Sequence, residues 1–116
     1  MLNGLQQSYT RVFANDGEGD FTSVEADIVG LNNGEVIWGD YDGDGDLDLA
    51  AGGIASNGPR TDVYVNDGNG DFILLNASFT GIQGGDIVWG DDDNDRDMDL
   101  VVVGSDGNGA ILQMYE

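Results

Sequence analysis

Aspartate recurs at every second position from Asp40 to Asp48, and coordination of a hard cation is the chemistry such spacing allows. Calcium takes six to eight oxygens at about 2.3–2.6 Å, and a loop supplies them by alternating ligands with spacers so that the chain curls round the ion. With Asp40 as position 1, the side chains of Asp40, Asp42, Asp44 and Asp48 fall at positions 1, 3, 5 and 9. The carbonyl of Asp46 occupies position 7. Gly45 holds position 6, where a sharp turn with positive φ is expected. Four carboxylates, one of them bidentate, and one carbonyl would make six oxygens. An EF-hand needs a bidentate Glu at position 12 and a helix after it, but position 12 is Ala51, inside an apolar, glycine-rich run. The expected element is a calcium loop joining two strands. A bare acidic turn is the competing reading; without a cation each pair of neighbouring carboxylates would repel by about 1 kcal/mol or more.

A second loop, Asp91 to Asp99, offers Asp91, Asp93, Asp95 and Asp99 with the carbonyl of Asp97. Here Arg96 replaces the position 6 glycine, adding a β-carbon where positive φ is favoured and a cation near the ion. Two readings stay open: a tuned, weaker second calcium site, or a drifted loop whose arginine points to solvent.

The elements that must position these loops follow from a tandem repeat. Asn15 to Val65 aligns with Asn66 to Glu116 without a gap, 21 of 51 positions being identical. The identities concentrate in Asn-Asp-Gly-x-Gly-Asp-Phe (from Asn15 and from Asn66) and in the run from Trp38 to Leu49, which returns from Trp89 to Leu100. Each repeat is punctuated into short strands. Glu35 to Trp38 reads as a strand buried on both faces, and Leu47 to Ala51 as the strand after the loop. Ser56 to Pro59 is a turn, Thr61 to Val65 a third strand, and Phe72 to Ala77 a fourth across the Asn66 to Gly70 hairpin connection. Helical periodicity is absent from every window of eleven residues. The expectation is an all-β chain of about two four-stranded antiparallel repeats of 51 residues, the pattern of β-propeller blades. Residues 1–33 would be a partial blade, 34–84 a complete one and 85–116 another partial one.

Composition excludes several function classes. The formal charge is −20, with eleven of the 23 acidic residues inside the two loops. The only cations are Arg11, Arg60 and Arg96, so no basic patch exists to follow a phosphate backbone, and neither nucleic acid nor membrane insertion is expected. Without histidine or cysteine, a Ser-His-Asp or Cys-His nucleophile and an ordinary zinc site are impossible. Met1 to Tyr9 lacks the charged and apolar regions of a signal peptide, and no apolar run reaches about 18 residues.

The repeat resembles the FG-GAP/VCBS type found in the propeller heads of integrin α chains and in many secreted adhesins, lectins and polysaccharide-active proteins. The marks are Asp-x-Asp-x-Asp-Gly-x-x-Asp followed by an apolar strand (Asp40 to Ala51) and Asn-Asp-Gly-Asn-Gly-Asp-Phe (Asn66 to Phe72). Gly52-Gly53-Ile54 and Val103-Gly104-Ser105 stand where the family has Gly-Ala-Pro, and Leu31-Asn32 and Ile82-Gln83 where it has Phe-Gly, which places the chain nearer the VCBS variety. The resemblance implies an extracellular or cell-surface, calcium-stabilised module for adhesion or recognition of a glycan or protein. The alternatives are the propeller part of a polysaccharide lyase or glycosidase, and a structural fragment with no ligand beyond calcium. Catalysis is not expected, because most of the clustered carboxylates are committed to metal. Trp38 and Trp89, each next to a loop, are expected in the core between blades rather than as sugar platforms, and Tyr41 as an exposed aromatic.

A propeller needs at least four blades, which two repeats cannot provide. Tyr9 to Ala14 and Phe21 to Glu25 match a third and a fourth strand, whereas Asp86 to Tyr115 supplies a first, second and third. Head-to-tail donation of the missing fourth strand would make a homo-oligomeric ring of three or four chains, with Tyr9 to Ala14 left spare.

Overall fold

The computed structural model describes residues 8–24, 26–75, 78–91, 94–95 and 98–115. These residues form an all-β structure of three antiparallel sheets without a helix. The first sheet pairs β1 (Val12–Asn15) with β2 (Phe21–Val24). The second runs β3 (Asn32–Gly39), β4 (Asp48–Ala55), β5 (Gly58–Asn66), β6 (Phe72–Leu74) in sequence order, and the third runs β7 (Gly85–Gly90), β8 (Asp99–Ser105), β9 (Ala110–Tyr115). Each is a meander, as short strands joined by tight connections must be.

The repeat is legible in the registers. Trp38 pairs Leu49 and Gly39 pairs Asp48 across β3 and β4; 51 residues on, Trp89 pairs Leu100 and Gly90 pairs Asp99 across β7 and β8. The two Asn-Asp-Gly connections are built alike. In the first, Asn15 Oδ1 accepts from Gly17 N–H and Asp16 Oδ1 from Glu18 N–H; in the second, Asn66 Oδ1 accepts from Gly68 N–H and Asp67 Oδ1 from Asn69 N–H. Gly68 and Gly70 stand at φ 82° and 94°, matched by Gly17 and Gly19 at 85° and 99°, a region costly for side chains.

Two clusters hold the sheets together. Ala50, Val63, Ile82, Ile87, Leu100 and Val102 form the core between the second and third sheets, while Ile28, Leu49 and Tyr64 seat the second sheet against Val12 of the first. A tyrosine ties each junction: Val29 N–H donates to Tyr64 Oη at 3.0 Å, and Thr80 N–H donates to Tyr115 Oη at 2.8 Å, again 51 residues apart.

Several sequence expectations need correction. Glu35 to Trp38 is not buried on both faces: Val36 and Trp38 are each 48% exposed, since no sheet lies over that side of β3 among the described residues. The strand buried almost throughout is β4, second in its sheet and rich in alanine and glycine, which lets neighbouring sheets approach. It begins at Asp48, and Leu47 faces solvent. The expected turn from Ser56 to Pro59 contracts to Ser56-Asn57, because Ala55 pairs Gly58 and Ile54 pairs Pro59. Proline is tolerated in β5 there because β6 pairs only Tyr64 to Asn66, leaving Pro59 beyond the reach of that ladder. The fourth strand spans Phe72–Leu74, Ala77 lying outside the described residues, and β1 starts at Val12 rather than Tyr9.

Candidate metal centre

The first aspartate loop connects β3 to β4 and is shaped largely by its own carboxylates. Asp40 Oδ1 accepts from Asp44 N–H at 3.1 Å and Asp40 Oδ2 from Gly45 N–H at 2.9 Å, so position 1 caps the turn it opens. Asp44 Oδ1 accepts from Asp46 N–H at 2.9 Å. Gly43 at φ 72° and Gly45 at φ 92° let the chain reverse twice within five residues.

Asp48 differs from the rest because it is fully buried. Its Oδ2 accepts from Tyr41 N–H and its Oδ1 from Asn66 N–H, both at 2.7 Å, and the Asn66 side chain donates to Leu47 O at 3.1 Å. The last aspartate therefore clamps the loop to the far end of β5. Each of its oxygens has a second lone pair left for a cation.

Asp40, Asp42 and Asp48 converge, each offering an oxygen within 4.8 Å of the others. Two oxygens bound to one calcium at up to about 2.6 Å cannot be more than about 5.2 Å apart, so this donor set fits the ion's dimensions. Partial desolvation first, and then the hydrogen bond with Asp44 and the charges of Asp48 and Asp44, push the Asp42 carboxyl above its ordinary pKa, while the Asp44 N–H opposes them. A cation among these oxygens reverses that sign, since it favours the charged form.

The other expected ligands are placed differently. Asp44 stands outside the converging group with its carboxylate in the turn to Asp46, and the Asp46 carboxylate reaches the second Asn-Asp-Gly connection, 2.8 Å from where a β-carbon on Gly68 would lie. In the second loop Asp93, Arg96 and Asp97 lie outside the described residues. Asp91, Asp95 and Asp99 are described. Asp95 N–H donates to Asp91 Oδ1 at 3.1 Å, the bond that Asp44 makes to Asp40 in the first loop, and Asp99 is buried as Asp48 is.

Three features of the site escape a reading by loop positions. Positive φ is required at position 4 as well as position 6, and Asn94, at φ 65° where the first loop has Gly43, belongs to the non-glycine type that tolerates it best. Asn66 belongs to the site by its clamp on Asp48, a role signalled only by its identity with Asn15 in the repeat. Tyr41 is not an exposed aromatic; it is partly buried, edge-on to Trp89 with ring centroids 6.2 Å apart, because the next sheet packs over the loop's root. Trp89 joins the core between sheets as expected, but Trp38 is half exposed and leans on Phe72 at 5.9 Å.

Residues 2–51 match the family model of the FG-GAP-like repeat, a span that takes in β1, β2, β3, the first aspartate loop and the first half of β4. This stretch is similar to an FG-GAP-like repeat. The 51-residue period continues beyond the matched span, and the strand pairing and the tyrosine hydrogen bond recur in β7 to β9. FG-GAP repeats are generally non-enzymatic and typically extracellular. No helix among the described residues is long and apolar enough to cross a membrane. Comparison with curated proteins and with solved structures finds no match for either.

Proposed function

We propose that the chain is a calcium-fastened, propeller-like recognition module that works outside the cell on a glycan or a protein. The observation that carries the calcium reading is the convergence of Asp40, Asp42 and Asp48 on one point at the end of the best-buried strand. Calcium there neutralises carboxylates that otherwise repel, and locks the β3–β4 connection to the hairpin that Asn66 opens. Its role is structural: it holds the loop on one face of the blade and leaves the recognition surface to other residues. The second loop takes a second, weaker calcium, because Arg96 brings a positive charge and a side chain to position 6.

An ion that binds the native state alone adds about 2.7 kcal/mol at a hundredfold excess over its dissociation constant. Thermal melts in calcium and in EDTA, with metal loss checked by elemental analysis, are expected to differ accordingly, and calorimetric titration to show two unequal steps. Identical melting with and without bound metal refutes the calcium reading.

A further inference from the structure

Equivalent positions of the second and third sheets are buried on opposite sides. On β7, Ile87 is 2% exposed, its side covered by the second sheet; Val36, at the same repeat position on β3, is 48% exposed. On β5, Val63 is 1% exposed, covered by the third sheet; Met114, its equivalent on β9, is 46% exposed. Val88, Val103 and Leu112 lie bare with Met114, and Trp38 lies bare with Val36. Among the described residues, then, the junction of the second and third sheets is filled; on the other side of the second sheet the first sheet and the segment after it pack on Leu49 and Tyr64 but leave Val36 and Trp38 half exposed, and the outer side of the third sheet is open.

The filled junction shows how the halves meet. The Trp89 indole sits directly on Gly39, and Ile87 N–H donates to a Glu35 carboxylate oxygen at 3.0 Å. Gly90 is the repeat equivalent of Gly39, and a β-carbon built there meets nothing within 4 Å. The seat for a tryptophan is open on the third sheet, and the matching Trp38 is half exposed on the second.

We propose that a second copy of this chain covers each face: the outer side of β7–β9 of one copy takes Val36 and Trp38 of the next, Trp38 resting on Gly90 as Trp89 rests on Gly39. The two faces differ, so the contact is heterologous and repeats head to tail until the rotation closes. With two blades contributed per chain, three copies complete six blades and four complete eight. In this register β9 of one copy falls where β1 of the next lies. β1 gives way, since it is held in a two-stranded sheet by four residue pairs whereas β9 keeps six with β8, and β2 then adds to the edge of β9 as β6 adds to β5. The contact is not a replica of the internal one. Val103 and Leu112 replace the smaller Gly52 and Thr61, so Leu31, which stands where Ile82 packs on Gly52, must repack around them. Charge opposes assembly at −20 per copy, and salt and bound cations relieve it.

Light scattering after size exclusion, at physiological salt with excess calcium, tests the proposal. The expected mass is three or four times the 12.2 kDa of one chain. Val36→Lys and Met114→Lys each place a charge on one face at a half-exposed position, and each alone is expected to run as a folded monomer that keeps a β-sheet circular dichroism spectrum. Mixed in equal amounts they retain one intact pair of faces and are expected to form a dimer that grows no further. A wild-type monomer, dimer or polydisperse aggregate overturns the proposal, and so does association of Val36→Lys with itself, which would mean that the β7–β9 faces pair with each other.

Discussion

Gly39→Ala measures how tightly the second and third sheets are locked. Gly39 is buried at the end of β3 with no positive φ, so alanine suits the backbone and its whole effect is steric. A β-carbon there would lie 2.7 Å from Trp89 Nε1 and 2.8 Å from its Cγ, with Cδ1 closer still. Carbon contacts settle at about 3.5–4.0 Å, so the indole, which also meets the Tyr41 ring edge-on, must retreat by roughly 1 Å. Overpacking of this kind costs about 1–3 kcal/mol. Replacing glycine also trims the unfolded ensemble, a gain of about 0.4–1 kcal/mol that would blur the result. Gly90→Ala supplies the control, because it makes the same chemical change at the same repeat position with nothing within 4 Å. The difference between the two variants isolates the steric cost. At roughly 4 °C per kcal/mol for a chain of this size, Gly39→Ala is expected to melt about 4–12 °C below Gly90→Ala. Both are compared by calorimetry in the Val36→Lys background, so that association does not enter. Equal melting temperatures would refute the seating of Trp89 on Gly39, and with it the template for the contact between copies.

Asp48→Ala and Asp42→Ala separate the two roles of the loop. Removing Asp48 strands two part-buried N–H groups, those of Tyr41 and Asn66, at about 1 kcal/mol or more each, so apo stability in urea is expected to fall. Asp42 faces solvent, and Asp42→Ala is expected to leave apo stability within about 0.5 kcal/mol while removing most of the calcium response of the first loop. Tyr64→Phe leaves Val29 N–H without its acceptor at the junction of the first and second sheets and is expected to cost about 1–3 kcal/mol, seen as loss of hydrogen-exchange protection at Val29.

How much of this was legible in the sequence depends on how local each interaction is. The 51-residue period, the strands and the alternating carboxylates of Asp40 to Asp48 follow from spacing, because turn chemistry and ligand alternation act between residues a few positions apart. The Asn-Asp-Gly connections are equally local, each closed by its own asparagine and aspartate. What spacing does not carry is which of two identical residues will be covered. Trp38 and Trp89 have similar neighbours in the chain, β-branched residues before and Gly-Asp after, and Asn66 and Asn15 open the same motif. Yet Trp89 is wedged against Gly39 and Tyr41 while Trp38 stands half exposed, and Asn66 N–H meets a buried carboxylate from 18 residues away. The fate of the tryptophans depends on which sheet lies over which, and therefore on contacts 35 to 52 residues apart, such as Val29 to Tyr64 and Ile87 to Glu35, whereas Asn66 meets Asp48 within its own sheet. A repeat writes the same local instructions twice; only the stacking of the sheets makes one copy core and leaves the other as surface.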